Sequence, residues 1–341
     1  MKSRPVATLT TVAKRVGLTV GTVSVVLNNT EASARVPERT RKRILEAARE
    51  LRYKPNLLAR SLRVKRTHTV GVIAQEIGDI YGAMVISGVE QYLRQQNYFF
   101  LTVIHRHDPQ LLQSYSELLV SRGAEGIITV DTSIDETPSV PTVAIAGHRR
   151  VDSVTNILLD HRRAAHMALT HLADLGHRLI ALMKGPPESS DTNARWEAIC
   201  EAADALKTKM RPQFFTQMTT SATPQPGYEA TKELLRKSRG FTALFAYNDL
   251  AAIGAIRAID EAGLRVPDDI SVVGFDDIPS AAYTTPSLTT VRQPLQKMGK
   301  IAARTLLEQI EKRSEYVPEI AIEPEFVIRE STAKATIQVK S

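Results

Sequence analysis

The residues best placed to do chemistry in this 341-residue chain are polar side chains at the ends of short apolar runs. Asn248 and Asp249 close ALFAY, Asp276 and Asp277 close ISVVGF, Asp160 follows TNILL, and Arg195 opens a helical stretch after SSDTN. A carboxylate there accepts hydrogen bonds from hydroxyls, and a guanidinium donates a planar fork to a carboxylate or a pair of hydroxyls. Such groups suit the capture of a small polar molecule. Acid–base work by Asp249 and Asp276 as a carboxylate pair is the enzymatic alternative, and nothing else in the sequence supports it. There is no GxGxxG after a strand, no P-loop, no HExxH and no GxSxG. His161, His166 and His171 are five apart, a spacing that does not align ligands on one helix face. Cys200 is the single cysteine, so it forms no internal disulfide and reads as a buried small apolar residue. No catalytic residue, metal or cofactor is expected.

The elements that must position these side chains are legible as an alternation. TVGVIAQEI, YFFLTVIH, AEGIITV, PTVAIAG, RLIALMKG, ALFAYN and ISVVGFDD are β-rich apolar runs separated by helical stretches. Near-continuous apolar strands imply parallel sheets covered by helices on both faces. The pattern restarts near residue 165 in HRRAAHMALTHLADLGHRLIALM without a Gly- or Ser-rich linker, which predicts two lobes joined by crossings near 164, 293 and 325. Ligands in such folds sit beyond the carboxyl ends of the strands, and two lobes close on them. Asp249 and Asp277 are read as helix-capping and turn residues. A transport-type sugar-binding protein shares this architecture.

Charge separates the two readings. Residues 1–66 hold 16 Lys and Arg against Glu31, Glu38, Glu46 and Glu50, a balance of +12, while residues 67–341 carry −5. A module that basic is suited to neutralising phosphates. Composition is otherwise globular, with 43% apolar and 24% charged residues, and no apolar run approaches the roughly 20 residues of a membrane span. The first residues lack the apolar stretch and cleavage site of an export signal, so a cytoplasmic, nucleoid-associated protein without a membrane partner is expected.

The basic segment is patterned as helices, not as a tail. In TLTTVAKRVGLTVGTVSVVLNN, Thr10 or Thr11 caps a helix with Val12, Ala13 and Val16 inward, Gly17 ends it, and Thr19 caps a second helix from Val20 to about Asn28. The tight turn permits the steep crossing that projects a helix into a major groove. A third helix follows Pro37, with Val36, Thr40, Ile44, Ala47, Ala48 and Leu51 at helical spacing. After Pro55, a stretch from Leu57 to Leu62 is too short to hold helix by itself and needs DNA or a second copy of the chain to order it.

TVAKRVGLTVGTVSVVLN, VPERTRKRI and YKPNLLARSL, in that order and spacing, resemble the lac repressor and galactose repressor family of bacterial transcription regulators. The resemblance implies an all-α helix-turn-helix module at 1–54, a hinge helix and linker at 55–68, and a periplasmic-binding-protein-like two-lobed α/β domain with parallel sheets at 69–341. The N-lobe would take about 69–164 and 294–324, the C-lobe about 165–293 and 325–341. It further implies a repressor that binds a palindromic, double-stranded DNA operator as a homodimer and answers to a small polar effector such as a sugar. DNA contacts are implied for Thr8, Thr19, Val20, Gly21, Thr22, Ser24, Val25, Asn28, Tyr53, Asn56, Ala59, Arg60 and Leu62. Leu62 matches the family's lever leucine, an apolar wedge in the minor groove, and two such wedges meet only across a two-fold axis. Val20, Gly21 and Val25 cannot make bidentate base contacts, which leaves methyl and hydroxyl contacts and DNA shape.

Effector contacts are implied for Asp160, Arg195, Asn248 and Asp276, with Asp79 and Tyr81 as further candidates. The chain departs from the family pattern in three places. NNTEASAR is a longer loop, from which Arg35 is placed to reach the DNA backbone. Ala222 stands where an aromatic platform is usual, and IGDIYGA replaces the usual polar–aromatic turn. The stretch TTPSLTTVRQPLQKMGKIAARTLLEQI resembles the family's dimer-facing region, and no heptad repeat follows it to suggest a tetramerising coiled coil.

Overall fold

In the computed structural model the described residues are 7–28, 31–54, 66–76, 78, 80–106, 108–132, 134–208, 210–238, 240–313 and 315–335. The chain divides into two compact units, 1–67 and 68–341.

The first unit is three helices on one small core. Helix α1 (Leu9–Val16) is capped by Thr8, whose hydroxyl accepts from Thr11 N while the Thr11 hydroxyl accepts from Thr8 N. This reciprocal box corrects the expected cap at Thr10 or Thr11 by two to three residues. Gly17, at φ 67°, ends α1 in the left-handed conformation that a Cβ would oppose. Helix α2 (Val20–Leu27) starts three residues later, capped by the Thr19 hydroxyl, and the chain bends by 109° between α1 and α2. Helix α3 (Glu38–Glu50) begins after Pro37, and Arg43 Nη2 donates to Val16 O, satisfying a carbonyl at the end of α1. Val12, Ala13, Val16, Val23, Val26, Ile44, Ala47 and Ala48 are buried together. Each fully buried valine or isoleucine contributes about 1.5–3 kcal/mol relative to exposure, so this short stripe supplies the module's cohesion. The loop read as longer than usual for the family holds a 3-10 turn, Glu31–Arg35.

The second unit carries two six-stranded sheets. The first, in the order β11-β5-β4-β3-β1-β2, is built from β1 (Thr69–Ala74), β2 (Phe99–Ile104), β3 (Ile127–Val130), β4 (Thr142–Ile145), β5 (Val154–Leu159) and β11 (Glu319–Ile322). The second, in the order β12-β10-β9-β8-β6-β7, uses β6 (Ile180–Lys184), β7 (Phe215–Gln217), β8 (Ala243–Phe245), β9 (Ser271–Asp276), β10 (Thr289–Arg292) and β12 (Glu325–Val327). Described pairs are parallel except β10 with β12, an antiparallel edge on an otherwise parallel sheet. The chain passes from one sheet to the other at Asp160, at Gln293–Pro294 and at Glu323–Pro324.

Helices α4 (Ile80–Gln95), α5 (Pro109–Ser121) and α10 (Leu295–Ile310) flank the first sheet. Helices α6 (His161–Asp174), α7 (Ser190–Ala205), α8 (Gln225–Lys237) and α9 (Asp249–Glu261) flank the second. Helices α4 and α10 touch backbone to backbone, since a Cβ on Gly88 would lie 2.0 Å from Gln296 O and one on Gly299 2.1 Å from Val85 O. The strands are short buried runs such as Val70, Val72 and Ala74, packed in a cluster that continues into Phe245 and Phe275 of the second sheet. Among the described residues no single helix is long and apolar enough to cross a membrane.

Candidate functional site

In the first unit, the N-terminal end of α2 is exposed. Thr19, Val20 and Gly21 are exposed, Val20 at 42%, and Thr22, Val25 and Asn28 are half-buried. The Thr19 and Thr22 hydroxyls lie 2.9 Å apart, so both are held at the helix start with room to turn outward. Ser24 is buried, and Asn28 Nδ2 donates to Ser24 O at 2.7 Å and Ser24 Oγ at 3.1 Å, so this pair is committed to closing the helix. Thr8 is the cap of α1, and Tyr53 packs on the three-helix core. A Cβ on Gly21 would meet only Thr19 Oγ1, at the ordinary distance of 3.8 Å, so the fold itself does not need glycine there. Asn56, Ala59, Arg60 and Leu62 lie outside the described residues.

In the second unit the strand ends converge on a cleft lined by Tyr81, Asp131, Asp191, Arg195, Ser221, Tyr247, Asn248 and Asp276. Arg195 rises from α7 with its guanidinium carbon 3.8 Å from the Phe275 ring centroid and 4.5 Å from that of Tyr247. Nη2 donates to Asp191 Oδ2 at 2.8 Å and Nη1 to Tyr247 O at 2.5 Å. Nε is buried with no hydrogen-bond partner among the described residues. Two ring contacts and two hydrogen bonds fix the plane of the fork, and of its three nitrogens only Nε is left without a partner.

Asp276 and Asp277 end β9 at φ 109° and 56°, two consecutive left-handed residues of a type that costs of order 1–3 kcal/mol each. Asp277 is pinned by Arg292 Nε and Arg329 Nη2, both at 2.6 Å, and this holds the unusual turn that points Asp276 into the cleft. Gln293 Nε2 donates to Asp276 Oδ1 at 2.6 Å from the second crossing between the sheets. Asn248 caps α9 through Ala251 N and donates to Ser221 O at 3.0 Å. Burial, followed by the charges of Asp191, Asp131 and Asp276, pushes the Tyr81 phenol well up, so it stands as a neutral donor or acceptor.

The cleft is latched across the lobes. Ser190 Oγ, on α7, reaches Asp131 Oδ1 at 2.7 Å and the Ala146 carbonyl, both on the first sheet's side. His148, in the loop after β4, is hydrogen-bonded to Asp191. Burial acts to raise the Asp191 carboxyl, but the neighbouring imidazoles His161 and His148 hold it well below the usual carboxylate range.

The structure thus gathers Tyr81, Arg195, Asn248 and Asp276 in one place. Asp160 lies apart from them: its carboxylate caps α6 through Arg163 N at 2.9 Å and lines a separate pocket with His148 and His161. Asp79 lies outside the described residues. Asp249 is not a cap, a role Asn248 fills, but a fully buried acceptor of Ile278 N and the Thr290 hydroxyl. Asp277 is an ion-pair anchor, which the turn reading missed because its arginines come from β10 and the segment after β12. Cys200 is half-buried, not buried. Asp131, Asp191, Ser221 and Tyr247 were not foreseen. Asp131 ends GIITV and would have been found by the strand-end rule, and Asp191 precedes Arg195 by one helical turn.

Comparison with known proteins agrees with both units. Residues 8–56 match the family described as bacterial regulatory proteins, lacI family, and residues 169–332 match a periplasmic binding protein-like domain. The chain is 32% identical over 335 residues to the HTH-type transcriptional repressor PurR of Haemophilus influenzae, covering 95% of this chain and 98% of that one. It shares the fold of the lac repressor dimer bound to operator and the anti-inducer ONPF, at a TM-score of 0.87, 24% identity and coverage of 96% and 99%. A CelR–cellobiose complex matches at a TM-score of 0.70, 26% identity and coverage of 95% and 99%. A ribose-bound regulator from Enterococcus faecium matches at 0.68 and 29%, covering 79% of this chain and all of that one.

Proposed function

From the premise that this chain belongs to the lacI family of bacterial regulatory proteins, DNA-binding transcription regulators, we propose a repressor that binds a palindromic operator as a homodimer under control of a small polyhydroxylated effector. The carrying observation is Arg195, held flat between Phe275 and Tyr247 and facing Asn248 and Asp276 in a cleft between two lobes. A fork of fixed plane beside carboxylate and amide acceptors recognises adjacent hydroxyls, the chemistry of a sugar. Relatives caught with cellobiose and ribose support that class. We place the reader at 1–54, the hinge at 55–68 and the sensor at 69–341, in a cytoplasmic protein that acts as a regulator and not as an enzyme.

Coupling runs through the crossings. An effector that draws on Asp276 also draws on Gln293, which lies between the sheets, and so shifts the relative placement of the lobes. Lobe placement in turn favours or opposes pairing of the two hinge segments on DNA. The test is sequencing of genomic DNA bound by the full-length protein at fixed salt, with and without a panel of sugars. A palindromic site whose occupancy one sugar shifts is expected. Sequence-blind, salt-sensitive binding alone would refute the reading.

Two substitutions separate the parts. Leu62→Ala is expected to weaken operator binding at least tenfold while leaving effector affinity intact, measured by fluorescence anisotropy and calorimetry; equal loss of both would remove the wedge assignment. Gly21→Ala is expected to raise the melting temperature slightly, because alanine favours helix by about 1 kcal/mol, while lowering operator affinity about tenfold through a methyl group at the DNA-facing surface. Unchanged operator binding would show that α2 does not approach DNA closely at this position.

A further inference from the structure

Three metal-binding side chains converge beside the effector cleft. His148 comes from the loop after β4, His161 from the first turn of α6, and Asp191 from the first turn of α7, so both lobes contribute. One donor atom of each lies within 4.8 Å of the others. His161 Nε2 stands 3.2 Å from Asp191 Oδ1, His148 Nε2 bonds the same oxygen, and the two imidazoles are tilted by 31° with centroids 5.4 Å apart.

We propose that His148, His161 and Asp191 bind a divalent transition ion of the Zn2+ class and so clamp the two lobes together. Two imidazoles and one carboxylate, with water as the fourth ligand, form a three-protein-ligand set that Zn2+ accepts tetrahedrally. Donors about 2.1 Å from a tetrahedral ion are roughly 3.4 Å apart, so the His161–Asp191 pair is already at that spacing. His148, in contact with the same oxygen, has to withdraw to reach ligand spacing, which a loop side chain at 15% exposure can do. Arg195 Nη2 holds the other oxygen of Asp191, the outer contact that orients a ligating carboxylate. Both imidazoles line a pocket whose walls carry Asp160, Glu197, Glu201 and Glu319 against the single cation Arg162, which is paired with Glu201, so the approach keeps a net negative charge. Ca2+ and Mg2+ are disfavoured, because they take oxygen ligands in larger numbers.

Binding of the ion stands on this cluster alone. Its effect on the effector, through Asp191 and Arg195, rests on the cleft reading above. The test uses full-length, tag-free protein stripped with EDTA and titrated with Co2+ and then Zn2+. One ion per chain is expected, with micromolar or tighter affinity, tetrahedral Co2+ absorption and a Zn2+-dependent rise in melting temperature. His148→Ala and His161→Ala should each weaken binding at least tenfold, while His166→Ala, on the exposed face of α6, leaves it unchanged. Far-UV circular dichroism identifies a variant that fails to fold, in which case His148→Gln serves in its place. Affinity weaker than about 100 μM, or binding that survives loss of His148, overturns the site as adventitious.

Discussion

Arg195→Met is expected to abolish the response of operator binding to effector, with effector affinity reduced about a hundredfold, while the effector-free protein binds operator within a few-fold of the native chain. The size follows from the chemistry: a hydrogen bond to a charged group contributes about 1.5–3 kcal/mol, and the guanidinium Nε is buried without a hydrogen-bond partner among the described residues. Methionine fills the space between Phe275 and Tyr247 without a charge. Asp191 retains His148 and His161, so the fold keeps a partner for the buried carboxylate. Arg195→Lys divides the remaining possibilities, because lysine keeps the charge but not the planar fork. Calorimetry with the effector, paired with thermal melts, decides it. A methionine variant that responds at the native effector concentration would take Arg195 out of the site.

How much of this was legible in the sequence depends on how local the cause is. The helices of the reader were legible because a helix end is written in a few neighbouring residues, such as Gly17 and Thr19. The cap of α1 was misplaced because a run of threonines offers several candidates, and only the reciprocal pair Thr8 and Thr11 closes both donors. Most buried strands were legible as apolar runs, but β10, inside TTPSLTTVRQPL, was not read as one. β7, β11 and β12, of three or four residues each, give no comparable signal and acquire strand geometry only from their neighbours.

The site divides the same way. Arg195, Asn248 and Asp276 were suggested by strand ends together with the family resemblance, and the structure gathers them with Tyr81. Asp160 obeys the same positional rule but follows β5, the strand from which the chain first crosses to the second sheet, and turns to cap its own helix. The His148–His161–Asp191 cluster was illegible, since its members are separated by up to 43 positions and are brought together by three different elements of the fold. Gln293 was hidden for the same reason: its partner Asp276 is set by the crossing, not by any pattern along the chain.

Asp249→Asn is expected to stabilise the protein above neutral pH and to do nothing below pH 4. Burial pushes the Asp249 carboxyl up to about 7, against hydrogen bonds from Thr290 and Ile278 that act to lower it. It is 0% exposed, and a Cβ on Gly274 would lie 2.2 Å from its Oδ1, so no water reaches that side. The folded chain therefore keeps a proton here that the unfolded chain releases near pH 4, and stability falls as pH rises from about 4 to about 7. Asparagine copies the protonated acid: its oxygen accepts from Ile278 N and its NH2 donates to the Thr290 hydroxyl. A window from about pH 4 to about pH 7, at about 1.4 kcal/mol for each pH step, puts the gain at pH 8 on the order of 4 kcal/mol, measured by urea unfolding across pH. Parallel profiles for the native and Asn chains would mean that the carboxylate is ionised in the fold and balanced by Arg329. Because Ile278 follows Asp276 and Asp277, the variant also tests the support of the cleft. An Asn chain that is more stable at pH 8 and still answers to effector places Asp249 beneath the site, holding the turn, whereas loss of the response would place its charge within the site itself.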